Sequence, residues 1–175
     1  MMTSWTVNPS RAKPASTTSR AARLSREILF PLLAVVVIAG YADIRIPMGL
    51  PGHRGLIWLT MLVAVVLTTR RRSTVLAVGV AATLAAVSLH PPMGGTRYLA
   101  AAVLLYAVAG VARRRRWEVA LAAAPIHLVA LADSVLVLPG LAEKALCHLG
   151  FGLAAGALGW AIASLVRAST RDEEP

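Results

Sequence analysis

Residues 55–72 read GLIWLTMLVAVVLTTRRR, an apolar run closed by two threonines and three arginines. The run is continuous. It lacks the period-two alternation of polar residues that a strand of an outer-membrane barrel shows. It reads as a helix over Gly55–Thr69 in apolar surroundings. It is shorter than the ~20 residues that span a hydrocarbon core, and its terminal arginines can snorkel to the interface and let a short run suffice.

The same pattern recurs on either side. Helices are expected over about Leu24 or Ile28 to Ala42, Ser73–Leu89, Tyr98–Ala112, Trp117–Leu138 and Ala142–Val166. Apolar residues make up 57% of the chain and charged residues 15%, against about 45–50% and about 25% in soluble domains. Mean hydropathy is +0.68. The expected fold is all-α: a polytopic membrane protein with a six-helix domain at 24–167. Residues 1–23, rich in Ser, Thr, Pro and Arg, read as a disordered basic tail, and 168–175 as a short polar tail.

A net charge of +10 raises the question of nucleic acid. The arginines come in bursts at the ends of apolar runs, Arg70–Arg72 and Arg113–Arg116, and form no continuous basic face, so no nucleic-acid partner is expected. Such bursts orient helices in a bilayer and can attract anionic headgroups. Fourteen lysines and arginines fall on one side of the expected spans, and four (Arg45, Arg54, Arg97 and Lys144) on the other. Positive-inside bias then puts both termini in the cytoplasm, in a bacterial-type inner (plasma) membrane crossed several times. The basic N-terminal region, a short apolar core and Gly40-Tyr41-Ala42 before Asp43 also fit a signal peptide, though the basic region is long for one. Cleavage there leaves the sidedness of the rest unchanged.

The loops on the outer side, 43–54, 90–97 and 139–144, are chemically mixed and shaped by Pro and Gly. They contain His53, His90, Asp43, Arg45, Arg54, Arg97, Glu143 and Lys144, polar residues clustered where capture of a small polar solute is affordable. Asp133 lies in the fifth expected helix, and His148 near the start of the sixth. A carboxylate in an apolar zone costs several kcal/mol unless paired or hydrated, so Asp133 should face the bundle interior or a wet cavity. His127 and Ser134 lie seven apart, on one face of a continuous helix. Further on, Gly152, Ala155, Gly156 and Gly159 form a stripe of small residues suited to close helix packing.

No H-E-x-x-H, G-x-S-x-G or P-loop pattern is present, so no enzyme is expected. The single cysteine, Cys147, rules out an intrachain disulfide and a Cys-rich metal site. No metal or cofactor is expected.

Six short helices, cytoplasmic termini and ornate outer loops, together with GLPGHRGLIW at 49–58, resemble the substrate-binding S components of energy-coupling-factor (ECF) transporters. The resemblance covers about residues 24–167. It implies capture of a vitamin-like micronutrient at the outer face, then uptake with a membrane T component and two cytoplasmic ATPases. It also implies a site built from Arg97, Asp133, Glu143 and His148, with His53 and His90 from the loops. One departure stands out. Family members often carry Ala-x-x-x-Ala on the first helix for docking, whereas here Ile38 lies between Ala34 and Ala42. The chain also lacks the N-terminal histidine of nickel and cobalt versions. Two rival readings are a membrane assembly protein with no small-molecule ligand, and a proton-coupled carrier using Asp133 and His127.

Overall fold

A computed structural model describes residues 17–42, 44, 52–89, 95–112, 115–134 and 140–171. Among them all regular structure is helical. In chain order the elements are α1 (Thr17–Leu24), a π turn (Ser25–Leu29), α2 (Phe30–Tyr41), α3 (His53–Thr68), α4 (Ser73–Leu89), α5 (Thr96–Val111), α6 (Arg116–His127), a 3-10 turn (Leu128–Ser134) and α7 (Leu141–Arg171).

The first helix begins at Thr17, ahead of the expected Leu24, so residues 17–23 are helical and not part of a disordered tail. The segment TTSRAARL has no Gly or Pro, and its Ala, Arg and Leu favour helix. From α1 to α2 the rod is unbroken, with helical backbone angles at Leu24, Leu29 and Phe30. Its π turn has a local cause. Phe30 N–H donates to Ser25 O, five residues back, and the next residue, Pro31, has no N–H with which to continue the usual ladder.

The expected helix over Trp117–Leu138 is two elements. Pro125 lies inside α6, where it donates nothing to the carbonyl of Leu121 and crowds it. The helix ends at His127, Leu128 N–H bonds Pro125 O, and the chain tightens into the 3-10 turn. The seven-residue register from His127 to Ser134 therefore does not follow one helix face. Helix α7 begins within one residue of the expected Ala142 and runs on past Val166 to Arg171, and His148 lies inside it, not at its start. Gly140, at φ +77°, makes the turn that precedes it.

Among the described residues two helices are long and apolar enough to cross a membrane, Arg20–Tyr41 with 22 residues and Leu141–Ser169 with 29. His53–Thr68, Ser73–Leu89 and Thr96–Val111 are apolar and shorter.

Helix α3 is the axis of the bundle. From Trp58 to Thr69 every residue is buried, and α2, α4, α5, α6 and α7 all pack on it. Helix α7 lies against α3 and α6, and α4 against α5. Small residues permit these approaches. A Cβ on Gly152 would come within 2.6 Å of Ala124 Cα, one on Gly159 within 2.7 Å of Val63, and one on Gly156 would overlap the carbonyl oxygen of Ala120. Ala155 is fully buried in the same stripe.

Candidate binding cavity

The starts of α3, α5 and α7 meet the 3-10 turn at one end of the bundle. They enclose a cavity of about 280 Å³ lined by Gly52, His53, Arg54, Gly55, Trp58, Arg97, Ala130, Leu131, Lys144 and His148. The turn that opens α3 sets its mouth. Gly52 sits at φ +94°, a conformation glycine adopts without strain, and its carbonyl accepts the N–H of Gly55 at 2.9 Å. That turn delivers His53 and Arg54 side by side to the rim. Gly52 also leaves room for His148, since a Cβ there would stand 3.1 Å from the ring Nδ1.

The lining rings Trp58 and His148 are backed by Tyr98 and His127. Trp58 meets Tyr98 edge-on with centroids 5.6 Å apart and His127 at 5.8 Å. His127 in turn lies 5.0 Å from His148. Backbone carbonyls set both imidazole tautomers. His127 Nδ1–H donates to His148 O at 2.7 Å, and His148 Nδ1–H donates to Lys144 O at 2.8 Å. A carbonyl only accepts, so in each neutral ring the proton is on Nδ1 and Nε2 carries the lone pair. His127 is fully buried, and its Nε2 has no hydrogen-bond partner among the described residues. The backbone of Gly55 covers that nitrogen so closely that a Cβ would overlap it.

Arg97 enters from the first turn of α5. Its guanidinium carbon lies 5.2 Å from the centre of the Tyr98 ring, a cation–π distance, and Nη2 donates to the Tyr98 hydroxyl at 3.4 Å. Its Nε is buried and has no partner among the described residues. The polar lining thus consists of Arg54, Arg97, Lys144, His53 and His148, with no described carboxylate among the lining residues. Guanidinium and ammonium groups are donors only. The arrangement can take up a negatively charged group, with Trp58, Ala130 and Leu131 as an apolar wall.

Of the residues singled out in the sequence, His53, Arg97 and His148 come together here. Glu143 lies exposed in the first turn of α7 and does not line the cavity. The backbone of Asp133 lies in the 3-10 turn beside Leu131, and His90 lies outside the described residues. Arg54, Trp58 and Lys144 line the cavity and were not among the candidates. A signal for them exists in helical spacing: Arg54 and Trp58 are four apart, as are Lys144 and His148, so each pair shares a face. Among the described residues no group of three or more His, Cys, Asp or Glu gathers as a metal site would require.

Compared with protein-family models, with curated proteins and with solved structures, the chain matches none.

Proposed function

We propose that this chain is a multi-pass helical membrane protein that captures a small anionic or zwitterionic solute in the cavity between α3, α5 and α7. The observation that carries the solute reading is the lining: five basic or imidazole side chains against one apolar wall, with no described carboxylate. At about 280 Å³, the cavity lies near the lower end of the ~300–1,000 Å³ typical of ligand pockets, so a compact solute suits it.

The membrane reading is supported by what the bundle exposes. Leu32, Leu33 and Val36 on α2, Leu84 on α4, Val103 on α5 and Leu153, Leu158 and Leu165 on α7 are all exposed. An apolar belt distributed over four helices suits lipid better than water. Charge supports the sidedness. The cavity is at the His53 end of α3, with Arg54, Arg97 and Lys144. Arg70, Arg72 and Arg116 gather at the other end, about 24 Å away at 1.5 Å per residue. Counted over the whole chain, fourteen lysines and arginines fall on the side of the arginine bursts and four on the cavity side, so positive-inside bias favours the cavity end as the outer one.

Uptake then proceeds with partner subunits of the ECF kind, a membrane T component and cytoplasmic ATPases. Ala34 and Ile38 are buried within the bundle, so a membrane partner meets α2 on its exposed Leu32, Leu33 and Val36 row.

The test is ligand-dependent stability. The protein purified in mild detergent is melted with a panel of small carboxylates, phosphates and zwitterions and their neutral analogues. Charged members should raise Tm, and Arg97→Ala should weaken that response by roughly tenfold or more, the scale of a lost charged hydrogen bond. A melt indifferent to every anionic solute overturns the capture reading, and a retained membrane partner without any ligand favours an assembly role.

A further inference from the structure

The opposite end of the bundle holds a second cleft, of about 220 Å³, between the α3–α4 turn and the first turn of α6. Its polar lining is Thr69, Arg70, Arg72 and Arg116. Arg72 reaches across to α5, where Nη1 lies 3.5 Å from Ala109 O. Gly110 makes room for it, because a Cβ there would stand 3.3 Å from the same nitrogen.

Two nearby carboxylates already have partners, one of them at the edge of the cleft itself. Glu27 accepts the backbone N–H of Arg70 at 2.9 Å, and Glu118 pairs with Arg115 at 3.3 Å. No described carboxylate forms an ion pair with the side chains of Arg70, Arg72 or Arg116. Three arginines line one cleft, and like charges held near one another repel. A tetrahedral anion with several oxygens relieves that repulsion and matches their planar forks.

The surroundings indicate where such an anion comes from. Val111 is 89% exposed and Trp117 55% exposed, and they are the sequence neighbours of the lining residues Ala112 and Arg116. An exposed tryptophan beside arginines is the composition of a membrane–water interface.

We propose that this cleft holds the phosphate of an anionic phospholipid headgroup, with an acyl chain lying along the apolar residues beside it. The proposal rests on the membrane reading but not on the outer cavity or its solute.

Native mass spectrometry of the detergent-purified chain, titrated with phosphatidylglycerol and with phosphatidylcholine of the same acyl chains, tests it. The wild-type protein should retain phosphatidylglycerol preferentially. The double variant Arg72→Ala/Arg116→Ala should lose that preference by roughly tenfold or more, since each basic group contributes at such a surface. Arg71→Ala should keep it, because Arg71 does not line the cleft. Arg72→Lys/Arg116→Lys, which keeps the charge and the fold without the forks, should fall between. Equal retention of the two lipids, or equal damage from Arg71→Ala, overturns the site. Inorganic phosphate and glycerol 3-phosphate identify the source: displacement of the lipid only at large excess supports a headgroup, whereas tighter binding than the lipid overturns it in favour of a free phosphate ester. A chain that leaves the cell membrane fraction without detergent overturns this proposal and the membrane reading together.

Discussion

The backbone of Gly55 lies against the imidazole of His127, so close that a Cβ on the glycine would occupy the position of Nε2. The first turn of α3 and the last turn of α6 are therefore in contact through an absent side chain. Gly55→Ala would ordinarily gain about 0.5–1 kcal/mol of helix propensity. Here overlap with a fully buried ring held at Nδ1 by His148 O should reverse the sign and cost about 1–3 kcal/mol. Adding His127→Ala should restore part of that loss, because the obstructing ring is gone. Penalties that simply add in the double variant, read by unfolding in mixed micelles, would place the two residues out of contact.

Two glycines on α7 separate packing from propensity. A Cβ on Gly156 meets the backbone carbonyl of Ala120, which cannot swing aside, whereas one on Gly150 meets nothing within 4 Å. Gly150→Ala should be neutral or stabilising by up to about 1 kcal/mol. Gly156→Ala should destabilise by about 1–3 kcal/mol. The same substitution on one helix thus gives opposite signs in thermal melts. Equal shifts would mean that α7 and α6 do not approach at Gly156.

Adjacent residues at the start of α7 should behave differently toward solute. Lys144 lines the cavity, and Glu143 is exposed outside it. Lys144→Gln should weaken binding of an anionic solute several-fold. Glu143→Gln should leave it within a factor of about two, since exposed charges contribute little. Titration calorimetry with a solute found by the melting panel distinguishes them. A larger loss from Glu143→Gln would move the site out of the cavity.

Sidedness has a direct assay. On a Cys147→Ser background, a thiol at the exposed position of Arg54 should react with an impermeant maleimide in intact cells. A thiol at the exposed position of Arg71 should react only after lysis. Labelling of both in intact cells, or the reverse order, contradicts the proposed orientation.

Much of the helix layout was legible because apolar runs and their arginine ends are local features. Ser73–Leu89 matches its expected bounds, and α3 and α5 start within two residues of theirs. Besides the longer first and last helices, α6 departs from expectation, because Pro125 ends the α ladder in the midst of an apolar run that hydropathy alone would continue. The cavity was partly legible. His53, Arg97 and His148 stand out as polar residues near helix ends, but their neighbours on the same faces, Trp58 and Lys144, emerge only when helical spacing is followed a further turn. The contact of Gly55 with His127 joins residues far apart in sequence, and no local pattern marks a glycine as the cover of a distant ring.

The enclosure of α3 has a consequence for the order in which the molecule is completed during synthesis. This helix precedes α7 by four helices in chain order, yet much of its wall is α7. Arg167 of α7 donates to Leu67 O of α3 at 2.9 Å, across 100 residues of sequence. Until α7 arrives, one side of α3, with Thr60 on it against the site of Gly159, has no protein neighbour. A chain halted before Leu141 therefore leaves that side of α3 as an unfinished surface.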